Sequence, residues 1–494
     1  MTLVDGNLIK EHLKNECQKY KLQLQGKEIA IIRFEVRENE DNQIKLRYEA
    51  ARVSAEQKIK TFDTIGVTCN YIILPYNTPV TELQRLIYSI NDNENIIAAI
   101  VQYPVPDQLQ ESIQLLSPSK DIDCVRKQQN ALFQVPATSE GIVRIVESYS
   151  QINSNVAVVG GGGFIGQGIV NYLQKQKIEC FILEKNDDKS LTREADIVVT
   201  ITGKPGLTTP YILPQHRLVV DGGFTPGENK GDLPRGDVDR SAYNIPQNIT
   251  PVPGGIGPTE MAILAERFVY MALGIKLNKW NYQELQQQQL EYSSNILPVA
   301  YKLFTGIKNI NYQQISRPQN GIEVIRGENY KLTLNINQNT FSVSRANEKL
   351  ELIKVNLDNN QTEIARGLTE SDVSCWQEIE VENPEILQNA TEDISYNQNE
   401  SIQQEALETV SAVKQLLKFL DENEFESANF YFAQTGDDII ITTQDRSREI
   451  LRTADNIVMF NPTPEDSERL KQLREFLHNN LDYQDPDIRR VRGR

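Results

Sequence analysis

Residues 156–159 (VAVV) run directly into four consecutive glycines, Gly160, Gly161, Gly162 and Gly163, followed by Phe164, Ile165 and Gly166. No other stretch constrains the fold as tightly. Gly161, Gly163 and Gly166 have the spacing G-x-G-x-x-G, which suits a strand that turns sharply into a helix. Such a turn brings backbone N–H groups and the positive end of the helix against a pyrophosphate. The next strand candidate is 178–183, and Glu184 ends it about 20 residues on, where an acid accepts a ribose hydroxyl. Helices are expected at 165–174 and 190–195, and further strands at 197–201 and 218–220. This order is that of a Rossmann-type dinucleotide domain.

A second glycine loop follows at 251–258 (PVPGGIGP). It holds too much Pro and Gly for a helix or a central strand, so it is expected as a shaped loop. Upstream, the pattern also alternates. Leu8, Leu13 and Cys17 have helical spacing, 29–34 (IAIIRF) and 71–74 read as strands, 49–64 and 81–91 as helices, and 96–103 (IIAAIVQY) as a buried strand. Gln102 ends that last strand, Pro104 and Pro106 terminate its pairing, and Asp123 follows in KDIDC. In open parallel sheets the carboxyl ends of strands line the ligand crevice, which places Gln102 to hold a polar ligand or tune an amine.

The chain has 494 residues, too many for one core, and a net charge of −17 that disfavours nucleic-acid backbones. Its five cysteines are scattered without a C-x-x-C pair, which suggests neither a zinc site nor a disulfide framework. The three histidines, His12, His216 and His478, stand apart from other candidate ligands or nucleophiles, so no metal site is expected. No stretch approaches the ~20 apolar residues of a membrane span, and the start lacks the apolar run of a signal peptide. A cytoplasmic protein is expected.

Beyond residue 280 the character changes. Gln286 opens a run of four glutamines, and Asn and Gln recur throughout the remainder. Tyr330, Leu332, Leu334 and Ile336 alternate with polar residues and Phe341 and Val343 resume the pattern, which predicts a β-hairpin. A second hairpin is expected around Gly436, a flexible acidic linker at 383–402, and a terminal helix at 465–477. The expected fold class is therefore α/β: an N-terminal catalytic domain (1–143, completed by a helix at 259–275), a Rossmann-type domain (144–258), and an α+β extension with a β-rich region (280–382) and a small unit (403–494).

At this point the chain resembles a known family, the bifunctional methylenetetrahydrofolate dehydrogenase/methenyltetrahydrofolate cyclohydrolases. LVDGNLIKEHL, VQYPVP, KDIDC, VPATSEGIVRI, VVGGGGFIGQG, TGKPG, GDVD and ITPVPGGIGP occur in the family's order between residue 3 and residue 258. The resemblance does not reach the C-terminal region. It implies a folate substrate, NAD or NADP as cofactor, a homodimer paired through the dinucleotide domain, and no nucleic-acid or membrane partner.

By the same resemblance, Lys58 matches the essential lysine of the cyclohydrolase step, Gln102 the glutamine that hydrogen-bonds it, and Asp123 the aspartate that anchors the pterin ring. Substrate contacts are expected at Ser54, Tyr103, Pro253, Gly254 and Gly255. Cofactor contacts are expected at Gly160, Gly161, Gly162, Gly163, Ile165, Gly166, Glu184, Thr202 and Gly203. The chain also departs from the family. Ser54 stands where the family has a tyrosine four residues before its lysine, and Cys124 replaces a glycine. Gly161 and Gly162 replace an arginine and a serine, which with Glu184 favours NAD over NADP. The family's Gly-Pro-Met-Thr reads Gly257, Pro258, Thr259, Glu260. Besides an enzyme oxidising methylenetetrahydrofolate and hydrolysing the product, two readings stay open at this level. One is a degenerate member that binds a dinucleotide or pterin as a regulatory module, and the other is an NAD-dependent enzyme acting on a different one-carbon carrier.

Overall fold

A computed structural model describes residues 2–37, 39–126, 132–227, 232–310, 315–317, 321–383, 386–387 and 396–420, and most of 422–474. Two parallel sheets form the body. The first has the order β3-β2-β4, built from β2 (Glu28–Phe34), β3 (Thr68–Leu74) and β4 (Ile96–Val101). Its strands read as near-continuous apolar runs because helices cover both faces. These helices include α1 (Gly6–Gln18), α3 (Asn42–Thr64) and α4 (Val80–Asp92), while α2 (Lys21–Leu24) is a single short turn. The long α3 begins seven residues before its apolar spacing suggests, because Asp41 caps it by accepting the Ile44 N–H at 2.9 Å.

The second sheet has the order β1-β9-β8-β7-β5-β6. Its members are β1 (Thr2–Leu3), β5 (Asn155–Val159), β6 (Glu179–Leu183), β7 (Ile197–Thr200), β8 (Leu218–Asp221) and β9 (Asn248–Ile249). All pairs are parallel. Strand order reverses at β5, so the glycine turn that follows it opens at the switch point where open α/β sheets bind ligands. The helix expected at 190–195 is a 3-10 segment, Lys189–Glu194.

Helices tie the two sheets into one body. After the short α5 (Gln110–Ile113), α6 (Ala137–Tyr149) runs uninterrupted across the boundary expected at 143/144, with Ile142, Val143, Ile145 and Val146 all wholly buried. After α7 (Phe164–Lys175), α8 (Ile256–Leu273) packs back against α1, α3 and α6. It stops at Gly274, which takes a left-handed φ of 72° and donates its N–H to the Tyr270 carbonyl. One apolar cluster accordingly joins Ile31 and Ile100 of the first sheet to Val158 and Val199 of the second.

The C-terminal region is two units of like plan. In the first, α9 (Tyr282–Ile310) precedes the antiparallel meander β10 (Ile322–Arg326), β11 (Tyr330–Asn335), β12 (Thr340–Arg345), β13 (Glu351–Asn356) and β14 (Gln361–Ala365), and α10 (Glu370–Glu382) closes it. In the second, α11 (Tyr396–Leu420) precedes β15 (Glu424–Glu426), β16 (Phe430–Thr435), β17 (Asp438–Thr443), β18 (Glu449–Ala454) and β19 (Ile457–Phe460). Helical residues at 466 and 469–474 follow. Both expected hairpins are present, as β11–β12 and β16–β17, each inside a five-stranded sheet.

Three expectations for this region change. The region from 280 opens with a 29-residue helix rather than with strands. The glutamine run lies within that helix, because glutamine is a good helix former and one member is used structurally. Buried Gln289 accepts the Leu368 N–H at 2.8 Å and donates to the Leu368 carbonyl at 3.0 Å. The linker expected at 383–402 gives way to helix from residue 396, since Ala406, Val413 and Leu417 of α11 bury against the second sheet. Residues 388–395, and the terminal helix beyond residue 474, lie outside the described residues.

Candidate functional site

The turn after β5 is built so that backbone closes on backbone. Gly160 has a φ of 85°, and a Cβ on Gly166 would stand 2.3 Å from the Gly160 carbonyl oxygen. Only glycine fits either position. Gly163 is the N-cap of α7, while Ile165 follows within its first turn and its carbonyl accepts the Ser139 hydroxyl of α6 at 2.8 Å. Glu184, at the end of β6, receives the Gly162 N–H on its carboxylate. A Cβ on Gly162 would lie 2.7 Å from Glu184 Oε1, and one on Gly161 would lie 2.8 Å from Ile182 Cγ2. The glycines at 161 and 162 thus let an acid lie over the loop.

Thr202 and Gly203 follow β7, and two buried aspartates fix them. The Asp237 carboxylate accepts the Thr202 N–H at 2.6 Å, the Lys204 N–H at 2.9 Å and the Thr200 hydroxyl at 2.9 Å. Asp221, at the end of β8, in turn accepts the N–H groups of Gly223, Asp237 and Val238 at 2.9–3.0 Å. Burial pushes the Asp221 carboxyl up to about 7 despite these three bonds. Sequence reading passed over both aspartates as support for the cofactor loop. The available signals were GDVD for Asp237 and, for Asp221, an acid ending a buried apolar strand just before Gly222 and Gly223.

In the first domain the cluster centres on Lys58 of α3. Its side chain is 1% exposed, and Nζ donates to Ser54 Oγ at 2.9 Å and to Glu260 Oε1 at 2.5 Å. Ser54 therefore keeps a hydroxyl on the lysine although the family's aromatic ring is gone. Asp123 lies close by. Burial raises its carboxyl to about 6, with Lys58 pulling it down and Glu260 pushing it up. Asp123 also accepts the Ala137 N–H at 3.0 Å, which joins it to the start of α6.

The hydrogen bond expected between Gln102 and Lys58 is replaced by the contact to Glu260. Gln102 follows β4 and its N–H donates to the Ile32 carbonyl at 2.8 Å, but its buried Oε1 has no protein partner. A charge-assisted bond to a carboxylate is about twice as strong as one to a neutral amide, which explains the preference. Tyr103 beside it is 43% exposed, and the Tyr103–Pro104 and Val252–Pro253 peptides are cis. Cys124 adopts a φ of 53°, the left-handed region that the family's glycine takes without strain.

Pro253, Gly254 and Gly255 form the turn into α8. Gly254 has a φ of 113°, and its carbonyl accepts the Gly6 N–H at 2.8 Å. The loop and the start of α1 touch so closely that a Cβ on Gly6 would be 1.8 Å from the Gly255 carbonyl oxygen. A cleft of about 1710 Å³ opens between the first half of α3 and the second domain. Tyr48 and Arg52 line it on one side, Thr202, Gly203, Lys204 and Phe224 on the other. Lys58 lies deeper along the same helix.

The fold and site together define a two-domain α/β protein in which a buried lysine–carboxylate cluster and a dinucleotide-type glycine turn share one body. Residues 4–123 match the catalytic domain of tetrahydrofolate dehydrogenase/cyclohydrolase, and residues 136–275 match its NAD(P)-binding domain. The chain is 31% identical over 285 residues to the bifunctional protein FolD of Sulfurihydrogenibium sp. (strain YO3AOP1), covering 53% of this chain and 95% of the relative. To the FolD protein of Staphylococcus aureus (strain Newman) it is 29% identical over 229 residues, covering 44% and 79%. The solved structure of the bifunctional enzyme from Campylobacter jejuni aligns at 24% identity with a TM-score of 0.47, over 56% of this chain and 99% of that one. The chain belongs to the tetrahydrofolate dehydrogenase/cyclohydrolase family.

Proposed function

We propose that this protein oxidises 5,10-methylenetetrahydrofolate to 5,10-methenyltetrahydrofolate with a nicotinamide dinucleotide, NAD in preference to NADP, and hydrolyses the product to 10-formyltetrahydrofolate. The reading rests above all on Lys58, a buried ammonium held by Ser54 and Glu260 beside Asp123, in the domain that faces the glycine turn. When bound, the dinucleotide accepts a hydride from the folate methylene carbon, and the protein's part in that step is chiefly orientation. Asp123 and the loop of Pro253, Gly254 and Gly255 would hold the pterin ring. Lys58 would orient water and carry charge in the hydrolysis, and Gln102 Oε1 remains available to accept from the substrate or from water.

Gly160 and Gly166 let the turn close backbone on backbone into α7, whose N-terminal end is the positive helix end that would meet a pyrophosphate. Glu184, bonded to the Gly162 N–H, would accept from a ribose hydroxyl and repel a 2′-phosphate. We further assign the protein to the cytoplasm as a homodimer paired through the second domain, whose edge strand is β6. Among the described residues no helix is long and apolar enough to cross a membrane.

The test follows methenyltetrahydrofolate formation spectrophotometrically with NAD and with NADP, and then its hydrolysis. Turnover with NAD and slower turnover with NADP are expected; no turnover with either would overturn the reading and favour a regulatory binding module. In the same assay Glu184→Ser should narrow the NAD/NADP preference by roughly tenfold, since one charge repulsion of about 1.4 kcal/mol is removed. An unchanged ratio would remove Glu184 from the ribose site.

A further inference from the structure

Glu260 is the fifth residue of α8, delivered by the Pro253-Gly254-Gly255 turn to the inner wall of the first domain. Its partner Lys58 lies 202 residues away in sequence. The carboxylate is 17% exposed and the lysine side chain 1%, so the pair sits with its acid toward solvent and its ammonium behind. Asp123 senses the charge of both. A second cation, Arg267, also pulls the Asp123 carboxyl down, but its hydrogen bonds go to other groups. It donates to Glu140 at 2.6 Å and to the carbonyls of Ile122 and Val135 at 2.8 Å, and Glu140 also binds Arg144, which binds Glu266. That network of two arginines and two glutamates is neutral. The wall itself therefore carries one positive charge, on Lys58, against two negative ones, on Asp123 and Glu260.

The proposed reaction changes the charge of its substrate. The C–H bond of the folate methylene breaks, both its electrons leave with the hydrogen for the oxidised nicotinamide, and N5, the carbon and N10 are left as a delocalised amidinium cation. Hydrolysis does the reverse. Water adds to that carbon and releases one proton; the C–N5 bond then breaks with its electron pair taken by N5, which gains the remaining hydroxyl proton as the C=O bond forms, and a neutral formyl group remains on N10. A carboxylate on the wall stabilises the cation that the first step makes and the second destroys. It also engages Lys58 Nζ at 2.5 Å, which draws that group toward the acid and away from the water that must be activated.

We propose that Glu260 is a charge-bearing residue of the reaction site that, with Asp123, makes the wall anionic and biases this bifunctional site toward forming and holding the cationic product, so that dehydrogenation outruns hydrolysis. The inference rests on the folate reading given above. Its basis is the pairing of Glu260 with buried Lys58 beside Asp123.

The experiment compares the full-length protein with Glu260→Gln, Glu260→Thr and Glu260→Asp. Dissociation constants are measured for methenyltetrahydrofolate, which is cationic at the reacting centre, and for tetrahydrofolate, which is neutral there. The Gln and Thr variants should bind the cation roughly tenfold more weakly, the scale of one partly screened charge pair, with tetrahydrofolate affinity unchanged. Their ratio of hydrolysis kcat to dehydrogenase kcat should rise by a similar factor, and Glu260→Asp should restore both values. Equal weakening toward both ligands, or an unchanged ratio, would overturn the proposal. If the variants fail to fold, the unsubstituted protein decides: a preference for the cation over tetrahydrofolate supports the proposal, and equal affinities overturn it. Absence of turnover in the unsubstituted protein would instead count against the folate reading itself.

Discussion

The body and the C-terminal units bury polar groups to different ends. In the body, buried or half-buried carboxylates stand at strand ends and in loops: Asp123 beyond β4, Asp221 at the end of β8, Asp237 between β8 and β9, Glu260 at the head of α8. In the C-terminal units, buried acids close helices. Asp372 and Thr369 form a capping box at the start of α10, and Arg345 binds Asp372 at 3.0 Å. In the second unit Arg448 binds Asp466 at 2.6 Å. Four residues beyond each aspartate stands a buried apolar residue, Trp376 in one unit and Leu470 in the other. Both arginines flank the connection between the third and fourth strands of their sheet, Arg345 ending β12 and Arg448 preceding β18, so the two units repeat one architecture, whereas the body's acids serve different segments.

The junction between the regions falls on the N-terminal segment. Tyr282 and Leu285 at the start of α9 belong to the body's apolar cluster, while Ile296, Leu297 and Phe304 farther along belong to the first C-terminal unit. The Asp5 N–H donates to the Tyr282 hydroxyl at 2.7 Å, and Arg366 after β14 pairs with the Asp5 carboxylate at 2.5 Å. Asp5 also caps α1, whose first residue, Gly6, bonds the Gly254 carbonyl. The C-terminal region thus rests one residue from the contact between α1 and the loop of Pro253, Gly254 and Gly255.

Three substitutions or truncations sharpen this contrast. The largest effect is expected from Lys58→Ala, which leaves Asp123 and Glu260 without their cation. Hydrolysis measured from loss of methenyltetrahydrofolate absorbance should fall at least about 100-fold, the contribution of a positioned proton-transfer group. Retained hydrolysis would mean that the lysine is structural. Arg366→Ala should act on stability and hardly on chemistry. Calorimetry should show destabilisation of about 1 kcal/mol, as for a partly exposed ion pair, with kcat within about twofold. A fall in kcat beyond that would make the C-terminal region part of the site. The smallest effect is expected from ending the chain at residue 395. The second unit has its own apolar core, from Ala406 to Leu470, so the remaining protein should keep its dehydrogenase rate within about twofold. A large loss of activity would break the division between the regions.

Much of the fold was legible because it is written locally. Period and punctuation gave β2 to β4 of the first sheet and β5 to β8 of the second, the turn at Gly160 to Gly163, and the two hairpins, whereas β1 and β9, two residues each, are too short to show a period. What failed was equally local in origin: the glutamine run read as low complexity because the period of α9 is diluted by polar residues, and its one structural member, Gln289, is identified only by a partner at Leu368. In the site, spacing from the glycine turn singled out Glu184, while Lys58 and Asp123 were singled out by the family resemblance. Glu260 could be noticed as a departure, but no rule of spacing connects residue 260 to residue 58.

The sequence by itself determined a dinucleotide-type turn, an acid at the end of the strand that follows it, and the body's α/β alternation, since each depends on residues within a turn or a strand of one another. Tertiary structure alone decided which charges meet. Lys58 takes Glu260 rather than Gln102, Asp237 holds the backbone of Thr202, and Arg366 reaches Asp5 across 361 positions. Such pairings are settled by packing, because a buried charge goes to the best-placed opposite charge once helices and sheets have fixed what lies within about 3 Å of it.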